Sequence, residues 1–108
     1  MATLSRTEAQ ARMRDLVGWT LEDAAIRKQF VLRDFPEAIA FVNLLVPGAE
    51  AADHHPDILI NYKRVTLTYA THSEGGLTVK DFDGAKMADR VFADYAGSIG
   101  LKSPPQSV

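Results

Sequence analysis

All three histidines of this chain, His54, His55 and His72, fall in the stretch from Glu50 to Asp81, beside the carboxylates of Glu50, Asp53 and Asp81. Imidazole titrates nearest neutrality of all side chains, so it can take or give a proton at cellular pH. The set therefore reads as equipment for general acid–base chemistry. Each member also has a plainer use. His54-His55 can be a solvated polar exit from a helix, Glu50 a solvent-facing helical residue, and Asp81 a helix-capping carboxylate. Zinc is a poor match and no metal is expected, because adjacent histidines diverge and the spacing differs from the i, i+4 pair of H-E-x-x-H. Gly75-Gly76 fits no phosphate-binding pattern and reads as a flexible turn.

For these residues to act together, the chain must fold back on itself. Ile58-Leu59-Ile60 and Val65 to Thr71 are β-branched, alternating runs on either side of Asn61-Tyr62-Lys63-Arg64, the pattern of a β-hairpin. Folding an antiparallel pair about Tyr62-Lys63 sets His72 opposite Asp53 or His54. The hairpin thus predicts that three imidazoles distant in sequence converge on one ligand-sized hollow. Asp81, in the first turn of the next helix, comes within reach of the same corner.

The remaining elements build the support. Ser5 with Glu8 makes a capping-box pattern ahead of Ala9, Met13, Leu16 and Val17, which predicts a first helix to about Val17, stopped by Gly18. Trp19 to Glu22 and Ala25 to Leu32 read as two paired strands, the second placing Ile26, Phe30 and Leu32 on one face with Lys28 between them. Asp34 and Glu37 open a central helix with the stripe Phe35, Ala38, Ile39, Val42, Leu45, Val46 and Ala49, and Pro47 predicts a kink or restart. Thr78 with Asp81 opens a third helix, whose Phe82, Ala85, Ala88, Val91, Phe92 and Tyr95 are to be buried, ending near Gly97. The order α-β-β-α-β-β-α predicts an α+β two-layer sandwich, a four-stranded antiparallel sheet with three helices on one face. The uncovered face is the expected place for self-association.

At 108 residues the chain suits one domain, expected over 1–97, followed by a loose tail over 98–108 with Pro104-Pro105. A net charge of −2 gives no electrostatic ground for binding nucleic acid or an anionic membrane, and Arg27, Lys28 and Arg33 lack the aromatic partners of a nucleic-acid patch. Cysteine is absent, which fits a reducing compartment. The start, Met1 to Arg6, lacks a signal core, and no run approaches the ~20 apolar residues of a membrane span. A cytoplasmic protein is expected.

The pattern Glu50, His54-His55-Pro56, Tyr62, His72, Asp81 resembles the signature of the pterin-4a-carbinolamine dehydratases, also called dimerization cofactors of a homeodomain transcription factor. The likeness extends through Gly18-Trp19, Lys28-Gln29-Phe30, Asp34-Phe35, Asn61-Tyr62-Lys63 and Gly76-Leu77. It implies the same sandwich, assembled as a homodimer or a tetramer of two dimers. It also implies dehydration of a 4a-hydroxytetrahydropterin to the quinonoid dihydropterin, without a cofactor of its own, recycling the tetrahydrobiopterin used by aromatic amino acid hydroxylases. By position, His54, His55 and His72 would form the catalytic cluster with Asp81 supporting it. Asp53, His54, His55, Pro56, Ala70, Thr71, His72 and Ser73 would contact the pterin, with Glu50 and Lys80 in support. Animal members carry tryptophan, arginine, serine and glutamate where this chain has Ile58, Lys80, Ala70 and Ser73, which bears on pterin preference more than on chemistry. Within this cluster His54 and His72 are expected to serve as acid and base while His55 holds the pterin. The competing expectation is a non-catalytic dimerising module, or an assembly or transcriptional cofactor, on the same fold.

Overall fold

The computed structural model describes residues 3–101. The chain runs α1 (Arg6–Met13), β1 (Thr20–Glu22), β2 (Ala25–Val31), α2 (Phe35–Ala52), β3 (Asp57–Asn61), β4 (Arg64–Tyr69), a single 3-10 turn (His72–Glu74) and α3 (Val79–Ser98). The strands form one antiparallel sheet in the order β1-β2-β4-β3, so two hairpins lie side by side through β2 and β4. This is the α+β sandwich that the order of elements predicts.

Both hairpins close on two-residue turns, Asp23-Ala24 and Tyr62-Lys63, with Asp23 (φ 36°) and Tyr62 (φ 56°) in the left-handed region that such turns use. Asp57 faces Thr68 and Asn61 faces Arg64, one of the two registers expected from the sequence. That register fixes which side chains turn inward. Ile26 lies opposite Tyr69 and Phe30 opposite Val65, with Leu67 between, and all five are buried under the helices. An aromatic knot of Phe30, Phe41 and Phe92, with centroids 5.1–5.3 Å apart, joins sheet to both long helices. Lys28 sits on this inner side at its margin and escapes burial of its charge by reaching Asp89 of α3 at 2.9 Å.

Three details differ from the sequence reading. Helix α1 ends at Met13 rather than Val17, because the N–H of Leu16 turns back to the carbonyl of Met13 and Gly18 follows at φ 86°. Leu16 is thereby buried and Val17 left exposed. Helix α2 does not restart at Pro47. It continues as one helix, with Pro47 on its exposed side while Leu45 and Ala49 pack into the core, so burial on both sides outweighs one missing backbone donor. The uncovered sheet face is largely polar, carrying Thr20, Arg27, Gln29, Thr66 and Thr68 around Leu59. Exposed apolar side chains gather instead on α2 (Phe35, Leu44, Val46) and on the edge strand β3 (Ile58, Leu59).

Among the described residues no helix is long and apolar enough to cross a membrane. Leu101, the last of them, donates its N–H to the carbonyl of Ala96 and packs against the core. Most of the tail expected after residue 97 lies outside the described residues.

Candidate functional site

The corner between the end of α2 and the start of α3 is built by two helix termini. At the first, the Asp53 backbone adopts a left-handed conformation (φ 50°, ψ 43°), a position usually given to glycine or asparagine and tolerated by aspartate. The N–H of His54 then closes on the carbonyl of Ala49 at 3.1 Å, which satisfies a terminal carbonyl and ends the helix. This reversal sends the two adjacent imidazoles apart. His54 turns inward, its side chain 12% exposed; His55 turns outward, at 54%.

At the second terminus Thr78 and Asp81 form the capping box that their spacing predicts. Asp81 is fully buried and does more than cap. Its Oδ2 accepts from the Thr78 N–H (3.0 Å) and from the Thr71 hydroxyl (2.8 Å), while Oδ1 faces His54 Nε2 at 2.6 Å. Because the Thr71 proton goes to Asp81, the 2.9 Å contact between Thr71 and Thr78 hydroxyls must carry the Thr78 proton. The two hydroxyls thus form a directed chain ending on the carboxylate. An ionised carboxylate accepts at both oxygens, so in the His54–Asp81 contact the imidazole proton sits on Nε2 and Nδ1 is left for other work. A buried carboxylate so placed orients the ring.

Tyr69, on β4, completes the surroundings of His54. Its ring lies nearly parallel to the imidazole, 23° apart in plane with centroids 6.0 Å apart. It is fully buried, and its Oη lacks a hydrogen-bond partner among the described residues. Burial first, then the Asp81 and Asp89 carboxylates, push the phenol up to about 12. Behind it stands Trp19, 5.9 Å away between centroids, whose Nε1–H donates to Asp89 at 3.0 Å. The ring fits only because Gly84 has no side chain: a Cβ there would come within 2.5 Å of Tyr69 Cε1.

The other predicted residues are arranged less tightly. His55 Nε2 meets Glu50 Oε2 at 2.5 Å, an exposed pair of small energetic worth. His72 opens the 3-10 turn with its side chain exposed and unpartnered among the described residues, one residue from the buried Thr71. Ser73 and Asp53 are exposed, and Ala70 and Pro56 half-buried. Two hollows adjoin the corner. One, of about 250 Å³, is lined by His54 with Gly48, Lys80, Asp83 and Gly84; the other, of about 150 Å³, by His55 with Glu50, Pro56, Val46 and Ile58. The structure therefore brings His54, Thr71 and Asp81 into one bonded network and sends His55 to a separate hollow. Among the described residues no group of three or more His, Cys, Asp or Glu side chains is arranged to hold a metal ion.

Sequence reasoning missed the two hydroxyls as a relay and Tyr69 altogether. The alternation Val65, Leu67, Tyr69 carried the signal, since it sends a phenol inward. It also missed the clamp on the glycine turn. Thr3 donates its hydroxyl to the Glu74 carbonyl at 3.0 Å and the Leu4 N–H reaches the Leu77 carbonyl at 2.8 Å. Gly76 is buried beneath Thr3 and bridged to Thr71, so the turn bearing His72 is pinned from both sides.

Comparison with known proteins bears on this corner. The family described as pterin 4 alpha carbinolamine dehydratase matches residues 2–91. A protein of Roseiflexus sp. (strain RS-1), provisionally named pterin-4-alpha-carbinolamine dehydratase, is 53% identical over 92 residues, 84% of this chain and 99% of its own. A crystal structure from Brucella melitensis, described as a transcriptional coactivator/pterin dehydratase, superimposes with a TM-score of 0.78 at 35% identity, over 82% of this chain and 97% of that one. A pterin dehydratase-like protein identified as a RuBisCO assembly factor in the alpha-carboxysome shares the fold at a TM-score of 0.57 and 18% identity, over 69% of this chain and 87% of that one.

Proposed function

Because the chain belongs to the pterin 4 alpha carbinolamine dehydratase family, we propose that it removes water from a 4a-hydroxytetrahydropterin to give the quinonoid dihydropterin. The C4a–O bond breaks as a proton joins the departing hydroxyl. The N5–H electron pair becomes the second bond of C4a=N5, and its proton leaves. One proton enters and one departs, so the step is redox-neutral and calls for an acid and a base.

His54 is the base in this proposal. With Nε2–H given to Asp81, its Nδ1 takes the N5 proton, and the buried carboxylate stabilises the imidazolium that forms. His72, exposed on its pinned turn, donates to the leaving hydroxyl. His55 and Pro56 hold the pterin with Asp53, Ala70, Thr71 and Ser73, and Glu50 and Lys80 flank them. Under this reading the protein serves tetrahydrobiopterin recycling beside an aromatic amino acid hydroxylase in the cytoplasm, as a dimer or a tetramer.

The observation that carries the reading is the His54–Asp81 pair, a 2.6 Å contact to a fully buried carboxylate whose other oxygen is already satisfied. The test follows ultraviolet absorbance after mixing with a 4a-hydroxytetrahydropterin. His54→Ala and His72→Ala are each expected to slow dehydration by about tenfold or more. An unchanged rate in either variant removes that residue from the mechanism. The rival reading, a non-catalytic dimerising module, has the exposed apolar side chains of α2 and β3 in its favour. Wild-type protein that gave no acceleration over buffer would select it.

A further inference from the structure

We propose that Tyr69 is a positioning residue for His54, a flat wall that holds the imidazole in the plane from which its Nδ1 can work. The proposal rests on His54 acting as the proton carrier and adds a residue to that site.

A single hydrogen bond from Nε2 to Asp81 leaves the His54 ring free to swivel about that contact. A second constraint is needed to fix its plane, and the Tyr69 ring, 6.0 Å away and 23° from parallel, supplies it. The wall is itself held fast. Gly84 lets α3 close directly onto one part of the ring, Trp19 lies 5.9 Å away, and Asp89 ties Trp19 and Lys28 to α3. The phenol oxygen meets no donor or acceptor among the described residues, so no hydrogen bond through it ties the residue to His54 or Asp81. What remains is a rigid planar surface, which a flexible aliphatic side chain of similar volume does not reproduce. Orientation of this kind bears on the chemical step more than on substrate capture.

Three variants separate this role from simple core packing. Tyr69→Phe keeps the plane and drops the oxygen. Tyr69→Leu keeps apolar bulk and drops the plane. Gly84→Ala leaves Tyr69 in place and forces its ring to move. Nuclear magnetic resonance would follow the His54 Nε2 proton held against Asp81, together with kcat and KM for dehydration. Tyr69→Phe is expected to match wild type in both. Tyr69→Leu and Gly84→Ala are expected to speed solvent exchange of that proton and to lower kcat by about tenfold, with KM within about twofold. Combining Gly84→Ala with Tyr69→Leu should add nothing further, since the ring to be displaced is gone. The proposal is overturned if the Nε2 proton exchanges as slowly in Tyr69→Leu as in wild type. Should that variant not fold, the same result in Gly84→Ala overturns it. If wild-type protein shows no dehydration, the enzymatic reading fails by itself, and the resonance measurement still decides the role of Tyr69.

Discussion

Asp81 shows how one carboxylate can serve two levels of structure. As the third residue of α3 it closes a capping box, and through its other oxygen it orients His54. Asp81→Asn preserves its shape but presents an NH₂ where an acceptor is needed, either to the Thr78 N–H or to the imidazole. Dehydration should slow by about a hundredfold, and stability should fall by roughly 1–3 kcal/mol, the usual cost of a mismatched buried polar group. Rate assays and urea unfolding on the same sample check both. Tyr69 leads to a prediction about alkaline pH. Unfolded, its phenol ionises near the ordinary value of 10; folded, it keeps its proton to about 12. Below pH 10 neither state is ionised and the stability is complete. Above it the unfolded chain alone releases the proton, so stability declines until the folded value is passed, by roughly 2–3 kcal/mol in all. Comparing Tyr69→Phe with wild type in urea titrations from about pH 9 to about pH 12 isolates this component, which the variant lacks. The proximity of Asp81 to the histidine corner was legible in the sequence, because a cap signal and a hairpin register both pointed there. The divergence of His54 from His55 was not, because it depends on the left-handed turn at Asp53, which no local signal demanded.

Among the elements, the capped helices were the most readable. Ser5 with Glu8, Asp34 before α2, and Thr78 with Asp81 each cap the helix that their spacing announces, since a cap is a local bond between residues close in sequence. Helix ends were less readable. The apolar spacing continues past Met13 to Leu16, which is buried from a turn, and to Val17, which is exposed, and Pro47 sits harmlessly where packing on either side dominates. The clamp on the glycine turn was not legible for a different reason, because the bonds that reach it come from the opposite end of the chain. Gly76→Ala brings a methyl to within 2.7 Å of the Thr3 side chain and should push Thr3 off the Glu74 carbonyl. The expected result is faster hydrogen exchange at the Gly75 amide, which bonds the His72 carbonyl, with little change in the melting temperature. Unaltered exchange there would show that the clamp does not steady the turn.

For the molecule as a whole, the fold was legible because the hydrophobic period changes cleanly from helix to strand along the chain. What the pattern could not supply was the partner of each face. The outer sheet face, named as the expected place for self-association, is largely polar, and the central helix is apolar on more sides than its core contacts use. Phe41, absent from the stripe read off α2, lies at the centre of the aromatic knot with Phe30 and Phe92. Phe41→Ala should therefore lower stability by roughly 3–5 kcal/mol in chemical denaturation. A loss under about 1 kcal/mol would show that the core closes over the gap. The anchoring of Thr3 and Leu4 beside the His72 turn also has a practical side. An affinity tag or fusion partner joined ahead of Thr3 would pull on the segment bonded to the His72 turn, so preparations carrying one should be compared with cleaved protein before a low turnover is ascribed to the protein itself.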